Sequence, residues 1–290
     1  MSRSAGVASV LAALLLGCTA LAFAAGPVQA SAAGPVQQVR LYALDCGSIL
    51  AKELGMFSDT GEYDGKSAQL AAPCFVIRHP QGVLLWDTGL GDALAAQKGG
   101  VDDGPFHAQV DVTLSSQLGQ LGLAPADITY MAFSHFHFDH TGNGAQFPAA
   151  TWILNKAELD AANANPAVFD LSPEFMKTLK AAKQQVITGD HDVFGDGTVR
   201  ILKAPGHTPG HQVLALRLQK SGAVILSGDL YHLRDNRQFR RIPGFNHDRA
   251  ATLASIDRIE TIVKNTHARF VVQHDPIDFK ALPRFPAYLD

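Results

Sequence analysis

Short apolar runs return along the chain from Val39 to Gln273: "VRLYAL", "CFVIRHP", "GVLLWDTG", "ITYMAFSH", "TWILN", "TVRILKAPG", "QVLALRL", "AVILSGD" and "RFVVQ". Gly, Pro, Asn or Asp bound most of them, and Val, Ile, Leu and aromatics fill them, so they read as strands. Several are apolar throughout rather than alternating, which suits strands buried on both faces. Such strands need helices to cover them, and helical spacing appears between the runs. "DVTLSSQLGQLGL" sets Val112, Leu114, Leu118 and Leu121 on one side, and "DRAATLASIDRIETIVK" does so with Leu253, Ile256, Ile259, Ile262 and Val263. "SPEFMKTLKAAK" offers Ser172 as N-cap with Pro173 at the first helical position. Strands in both halves with helices between them imply a layered α/β architecture, sheets inside and helices outside. No linker-like segment or short repeat interrupts the chain after residue 40, so one domain over about 37–290 is the simplest organisation.

The residue after each of five runs is polar in a consistent way. "GVLLW" ends at Asp87, "ITYMAFS" at His135, "TVRILKAPG" at His207, "AVILSG" at Asp229 and "RFVVQ" at His274. Strand ends and their loops are where rigid scaffolds carry sites, so these residues would form one cluster if the ends converge. The densest contribution is "SHFHFDH" at 134–140. In an extended chain residues two apart face the same way, so His135 and His137 could reach one ion together. Asp139 and His140 are adjacent and diverge from that pair, toward a second ion if the chain turns. Imidazole and carboxylate oxygen suit Zn²⁺, Fe or Mn²⁺, and the lack of Cys among them argues against a thiolate-rich structural zinc site. Two ions sharing Asp229 and a bridging hydroxide would supply a nucleophile at neutral pH.

These residues, in this order, resemble the metallo-β-lactamase superfamily: "SHFHFDHTGN", then "KAPGHTPGHQ", "SGDL" and "QHD". The resemblance implies an αββα four-layer sandwich with its site at one edge of the two sheets. Within the superfamily the chain looks most like the N-acyl-homoserine lactonases, through "VRLYALDCGSI", "CFVIRHPQGVLLWDTGL", "GHTPGHQ", the helix after "FNHDRA" and the closing "FPAYL". Carried over by motif, His135, His137 and His207 hold one divalent ion, expected to be Zn²⁺. Asp139, His140 and His274 hold a second, and Asp229 bridges. Asp87 orients a ligand imidazole, and His211 is placed near the site as support. The implied reaction is quorum-quenching ring opening of an acyl-homoserine lactone by a metal-bridging hydroxide, with Asp139 passing a proton to the departing ring oxygen.

Two features qualify that expectation. Superfamily β-lactamases commonly carry Cys where Asp229 stands, which favours the lactonase and thioesterase branches here. The best-known lactonases place Tyr three residues after the bridging Asp; this chain has His232 there and Tyr231 one place earlier, and either could bind the substrate carbonyl. Alternatives are a thioesterase, phosphotriesterase or β-lactamase on the same frame, or a non-catalytic metal-binding protein. Phe136, Phe138, Met56, Phe57 and Phe106 could wall an acyl pocket or belong to the core. Arg234, Arg237, Arg240 and Arg241 could meet a polar substrate end or form a solvated face.

The expected partner is a small lactone or ester. A formal net charge of −3 and the lack of a basic block give no general attraction to nucleic acid. Related lactonases are often dimers, so a homodimer is possible. The opening "MSRSAGVASVLAALLLGCTALAFAAGPVQA" reads as a secretory leader, with small residues suited to cleavage near 24 or 30. This makes a periplasmic or secreted protein, with no membrane span left after processing. Alternatives are an uncleaved anchor over Ser4 to Ala25 and a lipid anchor on Cys18, through the lipobox-like Leu15-Leu16-Gly17-Cys18. An oxidising compartment permits a Cys46–Cys74 disulfide, but both lie in apolar, strand-like contexts, where free buried thiols are the expectation.

Overall fold

The computed structural model describes residues 38–290. The expected leader over 1–30, its expected cleavage positions and Cys18 lie outside the described residues. In chain order the elements begin with β1 (Arg40–Ala51), β2 (Ala68–His79), β3 (Gly82–Trp86), β4 (Val101–Asp103), β5 (Phe106–Gln109) and α1 (Leu114–Gln120). There follow β6 (Tyr130–Ala132), α2 (Phe138–Thr141), β7 (Thr151–Asn155), α3 (Lys156–Ala164), α4 (Pro173–Ala181), β8 (Lys183–Ile187), β9 (His191–Asp192) and β10 (Val199–Lys203). The chain closes with β11 (Gln212–Leu218), β12 (Gly222–Leu226), α5 (Arg234–Phe239), α6 (Arg249–Thr266), β13 (Arg269–Val271) and α7 (Pro276–Lys280).

The strands form an eight-stranded sheet, β4-β5-β1-β2-β3-β6-β7-β8, and a five-stranded sheet, β13-β12-β11-β10-β9. Alternation along each strand sorts the apolar side chains into three layers. Phe75, Ile77, Leu84, Trp86 and Ile153 point from the large sheet toward Val199, Ile201, Leu214, Leu216 and Val224 of the small one. Their neighbours Cys74, Val76, Leu85, Trp152 and Leu154 point the other way, onto Leu114 and Leu118 of α1 and Phe175 and Leu179 of α4. On the far side Val213, Ile225 and Phe270 of the small sheet meet Ile256 and Ile259 of α6. This is the αββα sandwich. Its strands read as continuous apolar runs because both faces are covered. Truncating Ile256 or Ile259 to Ala would open the outer layer at about 2–5 kcal/mol each.

Helix starts follow local chemistry. Ser172 accepts a hydrogen bond from Phe175 N–H ahead of Pro173, as its sequence implies. Asp248 does the same for Ala251 at the start of α6. Val112 is exposed, so the face read from Val112 to Leu121 begins one residue before the N-cap of α1, Thr113.

One expectation is corrected. Cys46 and Cys74 are disulfide-bonded, with Cα atoms 5.7 Å apart. Leu44 pairs with Cys74, and a bulge between Asp45 and Ser48 sets Cys46 diagonally beside it. The apolar context of each cysteine predicted burial, and both are buried. Adjacency depends on the register of β1 on β2, which the context of either cysteine does not carry.

Strand direction fixes where the loops emerge. β3 and β6 are parallel, as are β12 and β13. β10 and β12 each run antiparallel to β11 and so share a direction. The loops after these strands carry Asp87, His135, His207, Asp229 and His274, and those side chains meet at one edge of the sandwich.

Candidate metal centre

The stretch 134–140 leaves β6 extended and turns into α2 at Phe138. His135 and His137 therefore project together, and Asp139 and His140 project from the first turn of the helix. His135 Nε2 lies 2.9 Å from His137 Nδ1. His207 Nε2 lies 3.2 Å from His135 Nε2 and 3.0 Å from His137 Nδ1. With Asp229 these form one group of potential ligands, and Asp139, His140 and His274 form a second. Asp229 spans both. Its Oδ1 lies 3.1 Å from His140 Nε2 and 3.0 Å from His274 Nε2. Its Oδ2 lies 3.3 Å from His207 Nε2 and 3.6 Å from His135 Nε2. Asp139 Oδ2 is 3.5 Å from His274 Nε2.

The second nitrogen of several rings shows what the first can do. His207 Nδ1–H donates to Asn246 Oδ1 at 2.9 Å, and His274 Nδ1–H donates to Ala71 O. His140 Nδ1–H donates to Asp87 Oδ2 at 3.0 Å. Their Nε2 atoms then carry lone pairs toward the centre. His140 Nε2 and His274 Nε2 face each other at 3.1 Å. Without an ion one of these nitrogens must carry a proton, donated to the other or to Asp229 Oδ1; with an ion both lone pairs can point at it. Ligands about 2.0–2.1 Å from a tetrahedral ion stand roughly 3.3 Å apart, close to the separations here. Asp229 Oδ1 is buried and accepts no well-directed hydrogen bond among the described residues. The donor set fits two divalent ions.

Burial holds His135 and His207 well below the usual imidazole range and takes His137 down to about 4. These three are neutral, the form that ligates. His140 and His274 behave differently. Burial opposes their charge too, but the surrounding carboxylates, Asp229 foremost, outweigh it and raise both. Burial would raise Asp229, yet the imidazoles around it, His274 and His140 foremost, keep it well below the carboxylate range.

A shell of buried polar groups fixes the ligands. Asp87, in the left-handed region at φ 55°, accepts from Ser134 N–H at 2.7 Å and Gln273 Nε2 at 2.9 Å besides His140. Gln273 Oε1 in turn accepts from Gly228 N–H at 2.8 Å. His211 lies behind the centre: its Nε2 accepts from Asp229 N–H at 2.8 Å and its Nδ1–H donates to Ala204 O. Gly228, at φ 49°, leaves room for that contact; a Cβ there would lie 2.6 Å from His211 Nε2. Glu158 of α3 is buried, and burial pushes its carboxyl up to about 7. Sequence reading missed Gln273, Asn246 and Glu158. Only Gln273 carries a local signal, as the polar residue beside His274 at the end of an apolar run.

The two candidates after Asp229 separate. His232 is in the site, its Nε2 3.0 Å from Asp229 Oδ2 and its ring stacked parallel to His274. Tyr231 is not, which corrects its candidacy. Its hydroxyl donates to Glu260 Oε1 at 3.1 Å and its ring packs on Phe270 in the outer layer. Adjacent residues in extended backbone point to opposite sides, and Tyr231 has extended φ/ψ. The arginines are occupied as well: Arg234 on Asp278, Arg237 on Glu260 and Arg240 on Asp257, with Arg241 near Glu62.

A cavity of about 780 Å³ opens onto Asp139, His137, Asp229 and His274. Met56, Phe57, Phe106 and Phe138 line it, joined by Phe169 and Phe245. Phe136 does not; it packs against Phe133 and Phe175 in the core.

An αββα sandwich with such a centre at its edge defines a class of metal-dependent hydrolases, and the chain belongs to it: residues 69–274 match the metallo-beta-lactamase superfamily. Within that superfamily it belongs to the N-acyl homoserine lactonase family. It is 32% identical over 263 residues to the N-acyl homoserine lactonase AttM of Azorhizobium caulinodans, covering 87% of this chain and 99% of the relative. It is 30% identical over 234 residues to the N-acyl homoserine lactonase AiiA of Bacillus thuringiensis subsp. kurstaki, covering 78% and 89%. It also superposes on a solved N-acyl homoserine lactone hydrolase with N-hexanoyl-L-homoserine bound at its catalytic metal center. There the TM-score is 0.73 at 26% identity, over 87% of this chain and all of that one.

Proposed function

We propose that this enzyme opens the lactone ring of N-acyl homoserine lactones by a two-metal mechanism, and so quenches signals of that chemistry. The carrying observation is the pairing of two ligand groups, sharing Asp229, with an apolar cavity that opens onto them. His135, His137 and His207 would hold one ion, and Asp139, His140 and His274 the other, with one Asp229 oxygen for each. The nitrogen-rich donor set suits Zn²⁺. When bound, the ions supply a hydroxide-like nucleophile at neutral pH and polarise the carbonyl.

The chain's own groups do the rest. The apolar walls take the acyl chain and exclude water from it. Asp139 lines the cavity and is the most exposed of the carboxylates at the centre, at 12%. That exposure supports a role in which it takes the proton of the attacking hydroxide and passes it to the ring oxygen as the C–O bond breaks. His232 Nε2 lies 3.0 Å from Asp229 Oδ2 and its ring lines the cavity, at the position where the best-known lactonases carry Tyr.

We also infer export, with a single hydrolase domain from about residue 37 following a cleaved leader. The Cys46–Cys74 disulfide supports an oxidising compartment, and among the described residues no helix is long and apolar enough to cross a membrane. The decisive experiment incubates the metal-loaded enzyme with short- and long-chain acyl-homoserine lactones, a thioester and a cephalosporin. Ring opening of the lactones is expected. Intact lactones beside hydrolysis of the thioester or the cephalosporin would overturn the reading.

A further inference from the structure

Glu158 is a buried carboxyl group that the reaction does not use, and it forms no ion pair among the described residues. Removing a carboxyl from water without a cation is costly unless its hydrogen bonds are replaced. Here they are replaced in a particular way. Oε1 accepts from Phe136 N–H at 2.9 Å, and Oε2 accepts from Gly210 N–H at 2.8 Å. Phe136 lies between His135 and His137. Gly210 lies three residues after His207, in the loop from β10 to β11. The two loops belong to different sheets, and Glu158 bonds both beside the two bonds that Gln212, where the second loop enters β11, gives to Phe133 O and Ser134 O.

The surroundings are shaped for this contact. Glu158 stands in the first turn of α3, capped by Asn155, whose Oδ1 accepts from Ala157 N–H. The Gly210 loop comes so near that a Cβ on Gly210 would lie 2.4 Å from Glu158 N and 2.8 Å from Asn155 Oδ1. Glycine is required there because the helix start and the loop touch. Two backbone N–H groups converging from opposite sides need an acceptor with two separated oxygens. Gln would offer one oxygen and turn an NH₂ toward the other donor, and Asp would fall short by one methylene.

We propose that Glu158 is the positioning residue of the first ligand group, holding the His135–His137 loop and the His207 loop at the separation where their three imidazoles converge. The inference rests on the two-ion reading and adds to it a residue that touches neither ion nor substrate. Removing an outer partner of a ligand set typically weakens metal binding by roughly 10–100-fold. That loss should fall on one ion only, because His140 and His274 are fixed by Asp87 and Ala71 instead.

The test uses the full protein and Zn²⁺ titrated against a competing chelator, with metal content, circular dichroism and thermal unfolding followed alongside. Wild type should bind two ions. Glu158→Gln should keep one at wild-type affinity and bind the other roughly 10–100-fold more weakly, with kcat restored at saturating Zn²⁺. Wild-type affinity for both ions, equal weakening of both, or a kcat that saturating Zn²⁺ does not restore would overturn the proposal. If Glu158→Gln fails to fold, Glu158→Asp, which keeps the charge and withdraws both oxygens, is judged by the same outcomes. A wild-type protein that binds fewer than two ions would overturn the two-ion reading itself, a result distinct from a variant that behaves like wild type.

Discussion

The two ligand groups share Asp229 and lie side by side, yet they are held by different means. In the first, His207 leans on the neutral amide of Asn246 and His135 on the hydroxyl of Ser134. Burial keeps all three of its imidazoles neutral. In the second, His140 leans on the Asp87 carboxylate, and Asp139 and Asp229 lie close by. There the carboxylates outweigh burial and raise His140 and His274. The first group is a cage of lone pairs with one charge at its edge, and the second is held largely by charge. Two candidate ligand sets can therefore share one carboxylate and still be held by unlike supports.

Breaking the shared member should have the largest effect. Asp229→Ala should lose both ions and lower kcat/KM by about 10³-fold or more, since Lewis-acid assistance is worth several kcal/mol. Metal analysis and a lactone-hydrolysis assay would check it. A variant that keeps two ions would show that Asp229 does not join the groups. Next is the charged support. Asp87→Asn keeps the shape but removes the charge facing His140 Nδ1–H, and should weaken one ion by roughly 10–100-fold. The neutral support is its mirror. Asn246→Ala should weaken the other ion, by roughly tenfold, the low end of the same range. Chelator competition on the two variants side by side would decide the comparison: equal losses, or losses on the same ion, would end the distinction between a charge-held and a lone-pair-held group.

Sequence made the candidate ligands legible and left their supports largely hidden, for a physical reason. A ligand must emerge from a strand end into the site, so His135, His207, Asp229 and His274 each follow an apolar run. A support needs only to reach a ligand's far nitrogen, and it can come from anywhere the fold brings near. Asn246 comes from the loop before α6 and Glu158 from the first turn of α3, where a glutamate reads as an ordinary helix residue. Asp87 was legible because it too ends a strand. The layers were readable because strands buried on both faces have no polar alternation. The disulfide was not, because it depends on a bulge in β1 and on which residues β2 sets opposite.

The smallest expected effect lies outside both groups and concerns Tyr231. Sequence gave it equal standing with His232, but the backbone turns the two rings to opposite sides. Tyr231→Phe removes a single hydrogen bond to Glu260, and Glu260 keeps Arg237, whose Nε and guanidinium nitrogen reach it at 2.8 and 3.0 Å. No buried carboxylate is stranded, so the cost should stay at about 1 kcal/mol or less of stability, read from denaturant unfolding. Metal content should be unchanged and kcat/KM should stay within about twofold, far below the tenfold that 1.36 kcal/mol of barrier represents. A large fall in kcat with intact metal content would mean that Tyr231 swings into the cavity during turnover. His232, wedged between His274 and Phe57, would then be only its support.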